Sequence, residues 1–361
     1  MICLDPFPGQ DQALGRFAVL KRWMETGLPH AINALRLACP VLHRMAMGGA
    51  FVCLLLTFGT PLPSDAAEPE RPPVDPAALQ ERDAIRRAHR PWIWVVKDAR
   101  ASIWLAGGLH MGTARDAAVF PPYLAYYRKA SVLYFETLPG SWNDFDAKRL
   151  LSQRGMLADR QSLSAKLSKQ TWIDLNAAVS SGGSQLTSVL RMEPWMAALT
   201  LTRNGYVQAG LKSDLSLETY LERVAIRDKK PLGALETPKD QILAMADAPF
   251  ADQEDFLRGT LTGMGNIQAS TETLRDAWVS GEEPRLQSAL GIDTAATRTG
   301  MHRNLIGKRN QQWVQRIQKI AGRGESAMIV VGVEHLVANP DSLPHLLEKA
   351  GFSVRRIEFE P

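Results

Sequence analysis

The chain has 361 residues, 45% of them hydrophobic, with 42 Lys and Arg against 38 Asp and Glu, a net charge of +4. So even a balance argues against a nucleic-acid-binding protein, and basic clusters such as Arg86-Arg87 and Arg90 read as a solvated face. The three cysteines, Cys3, Cys39 and Cys53, all precede the region read below as folded, which therefore has no disulfide framework, thiol nucleophile or thiolate metal site; any metal there must be held by nitrogen and oxygen ligands.

Residues 1–67 read as a leader. Met45–Ala67 has an apolar core, a polar break and small residues, with Arg36, His43 and Arg44 in front, which is the layout of an export signal cleaved after Ala66 or Ala67. The apolar core is short for a membrane span, which needs roughly 20 residues; an uncleaved N-terminal anchor is the alternative. Signals seldom carry so long an upstream stretch, so translation is expected to start at Met45 or Met47. The mature protein is expected to be periplasmic or secreted.

Residues 68–91 read as a tether and short helix, and the folded body is expected over 92–361 as a single domain. Trp92–Val96 and Ala101–Ala106 are two β-type runs separated by Lys97-Asp98-Ala99-Arg100, a hairpin spacing. Pro121-Pro122 opens a helix, and Ser131–Glu136 is a buried-strand pattern ending in a carboxylate. From about 142 to 228 the apolar residues recur at helical spacing. Pro231–Glu236 is a short strand that again ends in a carboxylate. Helices follow over 238–322, then a strand at 327–331, a helix over 342–350 and a strand over 353–359. The alternation predicts an α/β fold: a central, mostly parallel sheet flanked by helices, with a large helical insertion.

Two stretches carry the chemistry. Gly107-Gly108-Leu109-His110 and Gly332-Val333-Glu334-His335 each place a Gly-x-x-His step directly after a strand-like run. Glycine permits a sharp turn or a close approach, and open α/β sheets build their sites at the carboxyl ends of strands. Glu136 and Glu236 share that placement, so parallel strands would gather His110, Glu136, Glu236 and His335 on one edge. Two imidazoles with one or two carboxylates suit a divalent ion such as zinc, manganese or cobalt; without metal they suit general acid–base work. The bland alternatives are structural histidines, and N-capping or simple exposure for the glutamates. In 301–321, Leu305, Trp313, Ile317 and Ile320 form an apolar stripe on which Arg309 falls, with Asn310 beside it. An inward guanidinium must be paired, with a site carboxylate or a substrate anion, unless it snorkels outward. Among the other histidines, His89 reads as exposed, His302 as ambiguous and His345 as surface.

The blocks "IWLAGGLHMGT" from Ile103, "VLYFETLPG" from Val132, "SDLSLETYLERVAIRDKKPLGALETPKDQI" from Ser213, "AWVSGE" from Ala277, "RNQQWVQRI" from Arg309 and "MIVVGVEHLVANPDSLPHLLEKAGFSV" from Met328 resemble, in order and spacing, the TraB/GumN family. That family is related to the Tiki proteases and more distantly to erythromycin esterase-like and ChaN-like proteins. The resemblance covers about 92–361. It implies metal-dependent peptidase chemistry, with His110, His335 and Glu136 in the positions the Tiki branch uses for metal. Glu236 and the Arg309-Asn310 pair match other recurrent family positions and take the catalytic roles. Two positions depart from the pattern: Lys308, where an acidic residue is expected, and Glu334, where a small or apolar one is. Three functions follow as expectations: an exported metal-dependent hydrolase of peptides or another envelope substrate, a metal-free His/Glu esterase-type hydrolase, or a non-catalytic periplasmic accessory protein linked to envelope polysaccharide.

Overall fold

The structure, a computed structural model, describes residues 76–359 apart from 99, 182–183 and 293–299. The leader and the first part of the tether lie outside the described residues. No helix among them is long and apolar enough to cross a membrane.

Six strands form one sheet: β1 (Ile93–Lys97), β2 (Ser102–Gly108), β3 (Val132–Phe135), β4 (Leu232–Ala234), β5 (Ala327–Gly332) and β6 (Ser353–Arg356), in the order β4-β3-β5-β2-β1-β6. The pairs β4–β3, β3–β5 and β5–β2 are parallel; β2–β1 and β1–β6 are antiparallel. The sheet is therefore mostly parallel, and its parallel block contains all four strands whose ends carry the candidate residues. β5 lies between β3 and β2, and every residue of its Ala-Met-Ile-Val-Val-Gly run is buried, as a central parallel strand covered on both faces requires. The β1–β2 hairpin closes through Asp98, whose Oδ1 accepts from the backbone N–H of Arg100 (2.7 Å) and of Ala101 (2.8 Å), a side-chain turn that Asp favours.

Helices cover the sheet and extend beyond it. One apolar cluster joins the sheet to Tyr123, Trp278, Trp313 and Leu347. A second, built from Leu163, Leu175, Trp195, Leu199, Leu257 and Leu305 among others, is the core of the helical insertion between β3 and β4, completed by helices that follow β4.

His89 departs from the sequence reading. The basic residues around it suggest exposure, yet it is 5% exposed. Its ring lies 4.9 Å from that of Trp278, and Nδ1 is 3.1 Å from the carbonyl oxygen of Val279. The flanking arginines mark the surface, while the imidazole turns under it. Burial pushes its pKa down to about 4, with Arg90 helping and the Val279 contact opposing. The unfolded chain protonates this ring near pH 6.5, so between pH 6.5 and 4 the unfolded state binds more protons and stability falls as the pH falls. The contribution is on the order of 3 kcal/mol by pH 4. Denaturation midpoints at pH 7 and 4.5 should therefore drop less in His89→Gln, which keeps a donor for Val279 but cannot take the proton, than in the wild type. Equal drops would refute this account.

Candidate functional site

The carboxyl ends of the parallel strands build the site. Past the strands proper, the backbone pairing continues: the N–H of Glu236 donates to the carbonyl of Glu136 (2.9 Å), and that of Val333 to the carbonyl of Gly108 (2.9 Å). The two glutamates thus sit side by side, and the two glycine motifs leave the sheet together. His110, Glu136, Glu236 and His335 are 7%, 7%, 8% and 2% exposed. The surface readings of the glutamates do not hold: both carboxylates are interior, and it is Thr237, not Glu236, that caps the helix Pro238–Ala246.

Glu136 is the point of convergence. Its Oε1 is 3.5 Å from His110 Nε2 and 3.9 Å from His335 Nε2, and accepts from the backbone N–H of Gly332 (2.8 Å). The glycines make this approach possible. A Cβ at Gly332 would lie 2.8 Å from His110 Nε2 and 3.5 Å from Glu136 Oε1; one at Gly107 would meet Val333 Cγ2 at 2.8 Å. The missing side chains of each motif thus make room for residues of the other half of the site.

Arg309 is 2% exposed and bridges the glutamates. Its Nη2 donates to Glu136 Oε2 (2.7 Å) and Glu236 Oε1 (2.5 Å), its Nε to Glu236 Oε1 (3.0 Å), and its Nη1 to the Leu305 carbonyl (3.0 Å). Nη1 is also 3.2 Å from His335 Nε2. The residues just before it, Arg303–Lys308, form a π-helical turn, a local widening often found at functional positions.

Asn310 touches His335 and holds it. Asn310 Nδ2 donates to the carbonyls of His335 (3.1 Å) and Asp341 (2.7 Å), which leaves its Oδ1 as the acceptor for His335 Nδ1 at 2.7 Å. That nitrogen must then carry the proton, so the lone pair of His335 is on Nε2, facing Glu136 and Arg309. Asn310 is therefore a positioning residue in this arrangement.

The electrostatics divide the cluster. Burial, together with Arg309, drives the pKa of His335 well below its usual value, keeping the ring neutral. For His110 burial pulls the same way, but Glu218 and Glu136 outweigh it and push the ring up to about 9. Burial would raise Glu136, but Arg309 and His110, with the Gly332 N–H, hold it well below the carboxylate range. Burial raises Glu236 against the opposition of Arg309. Two adjacent carboxylates pushed in opposite directions are a common arrangement for dividing anionic and proton-carrying roles.

Sequence reasoning missed several contributors. Gln241 Nε2 donates to both Glu136 (3.2 Å) and Glu236 (2.7 Å). Trp313, an apolar stripe residue in the sequence, donates from Nε1 to Glu236 Oε2 (2.9 Å), packs tilted against His335 with ring centres 4.3 Å apart and lies under the Arg309 guanidinium. His302, left ambiguous, is buried with Nε2 3.2 Å from Glu334 Oε1, so the departing glutamate of the second motif faces a histidine of the π-helical region. Lys308 is exposed and borders a cleft of about 540 Å³ together with Asp252, Arg303 and Asp341.

In donor type, the cluster fits a divalent ion: two imidazole nitrogens around one carboxylate oxygen, with Gly332 leaving the space between them open. The 3.5 and 3.9 Å separations approach the roughly 3.4 Å expected between neighbouring ligands of a tetrahedral ion bound at ~2.1 Å. The fit is not closed as the side chains stand. Among the described residues no group of three or more His, Cys, Asp or Glu is drawn tightly enough to hold an ion, and the guanidinium caps His335 Nε2.

An α/β sheet with a buried His/Glu/Arg cluster at its parallel carboxyl edge is the class that fold and site define. The model of the TraB/PrgY/gumN family matches residues 92–356, and the chain belongs to that family. No curated protein and no solved structure matched the chain.

Proposed function

We propose that the protein is an exported metal-dependent hydrolase acting on peptides or a related envelope substrate. The observation that carries this reading is the convergence of His110 Nε2 and His335 Nε2 on a single oxygen of Glu136. His110, Glu136 and His335 would hold the ion, which when bound would supply a water acidified toward neutral pH and polarise a carbonyl. The chain's own groups do the rest. Asn310 fixes the His335 ring. Glu236, ionised against Arg309 and made more basic by burial, would accept the proton that the attacking water gives up. Arg309 offers a fixed positive charge to the anion that develops on the substrate. Export rests on the signal-like pattern of residues 45–67.

Metal analysis of the purified protein and peptide hydrolysis assays test this reading. One divalent ion per chain, lost in both His110→Ala and His335→Ala together with hydrolysis, is the expected result. Unchanged metal content in both variants would overturn it.

A second reading has its own support. The 3.2 Å contact of Arg309 Nη1 with His335 Nε2 occupies the lone pair that would have to bind an ion, which suits metal-free His/Glu chemistry. Hydrolysis that survives exhaustive chelation would favour it over the first.

A further inference from the structure

Nothing in the local sequence marks Glu218 as a site residue. It stands in the first turn of the helix Leu217–Arg227, whose N-cap Ser216 accepts from the N–H of Thr219. An acidic residue there usually faces solvent and complements the helix dipole. Here the side chain is 14% exposed and turned inward, with Oε1 3.2 Å from His110 Nδ1. Both of its oxygens are buried without an aligned hydrogen-bond donor. Burying a carboxylate is costly unless it is paired, and the pairing this fold supplies is the His110 ring. The first motif accommodates it: a Cβ at Gly108 would fall 2.7 Å from Glu218 Oε1 and 3.0 Å from its carboxyl carbon. Gly107 makes room for the second motif and Gly108 for Glu218, so the two adjacent glycines have separate reasons to be there.

We propose that Glu218 is the positioning residue of the first histidine: its carboxylate holds the Nδ1–H of His110, so that Nε2 is presented to Glu136 and the space beside Gly332. This rests on the placement of His110 in the site given above. The two histidines are then held alike through Nδ1 but by different chemistry. His335 is held by the neutral amide of Asn310 and His110 by a carboxylate. A carboxylate behind an imidazole makes it the stronger donor, and loss of such a partner typically weakens metal binding by about 10–100-fold. The pair is thus asymmetric, with His110 the more basic ligand.

Nitrogen-15 spectra of the full chain with labelled histidine, together with titration by manganese(II) and zinc(II), test the proposal on the wild type, Glu218→Gln and Glu218→Ala. Loss of one signal in His110→Asn assigns the ring. Above a pH of about 9, where the His110 ring is neutral, Nδ1 is expected to be protonated and Nε2 not in the wild type. In Glu218→Ala that resonance should move toward a mixture of tautomers. In Glu218→Gln, whose amide oxygen still accepts, Nδ1 should keep its proton with a changed shift, while metal affinity falls about 10-fold or more. An unprotonated Nδ1 in the wild type, or a resonance unmoved in folded variants, overturns the proposal. Should Glu218→Ala fail to fold, the glutamine variant decides alone, because its Nδ1 shift must change when the carboxylate becomes an amide. Should the wild type bind neither metal, the metal-dependent reading fails, while the ring-nitrogen comparison still decides the role of Glu218.

Discussion

Arg309→Ala is expected to destabilise the protein by about 3–5 kcal/mol, the usual result of removing one partner from a buried ion cluster. The guanidinium is 2% exposed and is the main counter-charge for both Glu136 and Glu236. Without it, two carboxylates face each other in the interior with only Gln241, Trp313, the Gly332 N–H and the nearby imidazoles to answer them. Arg309→Lys should recover little, because a single ammonium cannot reproduce a fork that reaches Glu136, Glu236 and the Leu305 carbonyl at once. Urea denaturation at pH 7 reads the loss as a lowered midpoint at constant slope. Adding Glu236→Gln to Arg309→Ala should restore part of the stability, since it removes one of the stranded charges. A loss below about 1 kcal/mol would mean that the cluster is solvated and that the pairing described here is wrong.

Gly332→Ala is expected to lower the proposed hydrolytic activity by about 100-fold, the scale associated with displacing a reacting group by about an ångström, while leaving the fold nearly intact. Gly332 does not have a positive φ, so alanine meets no backbone strain there. The new methyl would instead lie 2.8 Å from His110 Nε2, and the imidazole must retreat from Glu136. Gly322→Ala is the control, because nothing lies within 4 Å of its Cβ position. Steady-state rates and melting temperatures of the two variants separate the effects. Equal rates in both would show that Gly332 does not shape the site.

The strand-end residues were legible in the sequence because two physical signals coincide there: a buried apolar run, and a polar group immediately after it. This is why His110, Glu136, Glu236 and His335 were placed together and why the parallel block could be anticipated. Arg309 was legible for a different reason, as a charge on an apolar helical stripe. Glu218 carried neither mark. A glutamate in the first turn of an amphipathic helix looks like ordinary dipole compensation, and only the tertiary packing turns it toward His110. Gln241 and Trp313 were hidden likewise, one as a polar residue early in a capped helix and one as an ordinary core aromatic. The local charge pattern misleads at His89 because its neighbours in sequence face outward while its ring turns inward. The pairing of His302 with Glu334 joins two segments that no periodicity connects.

The place of β5 has a consequence for how the protein is made. Its end supplies the N–H that binds Glu136 from 196 positions away, and its body fills the slot between β3 and β2. On a ribosome, the earlier strands would emerge long before the one that separates them. Until it arrives, each exposes an unsatisfied edge prone to adhesion with other chains. Biogenesis should accordingly depend on holding the nascent polypeptide unfolded until synthesis is nearly complete, and no N-terminal fragment ending short of that segment can assemble the His110–Glu136–His335 cluster.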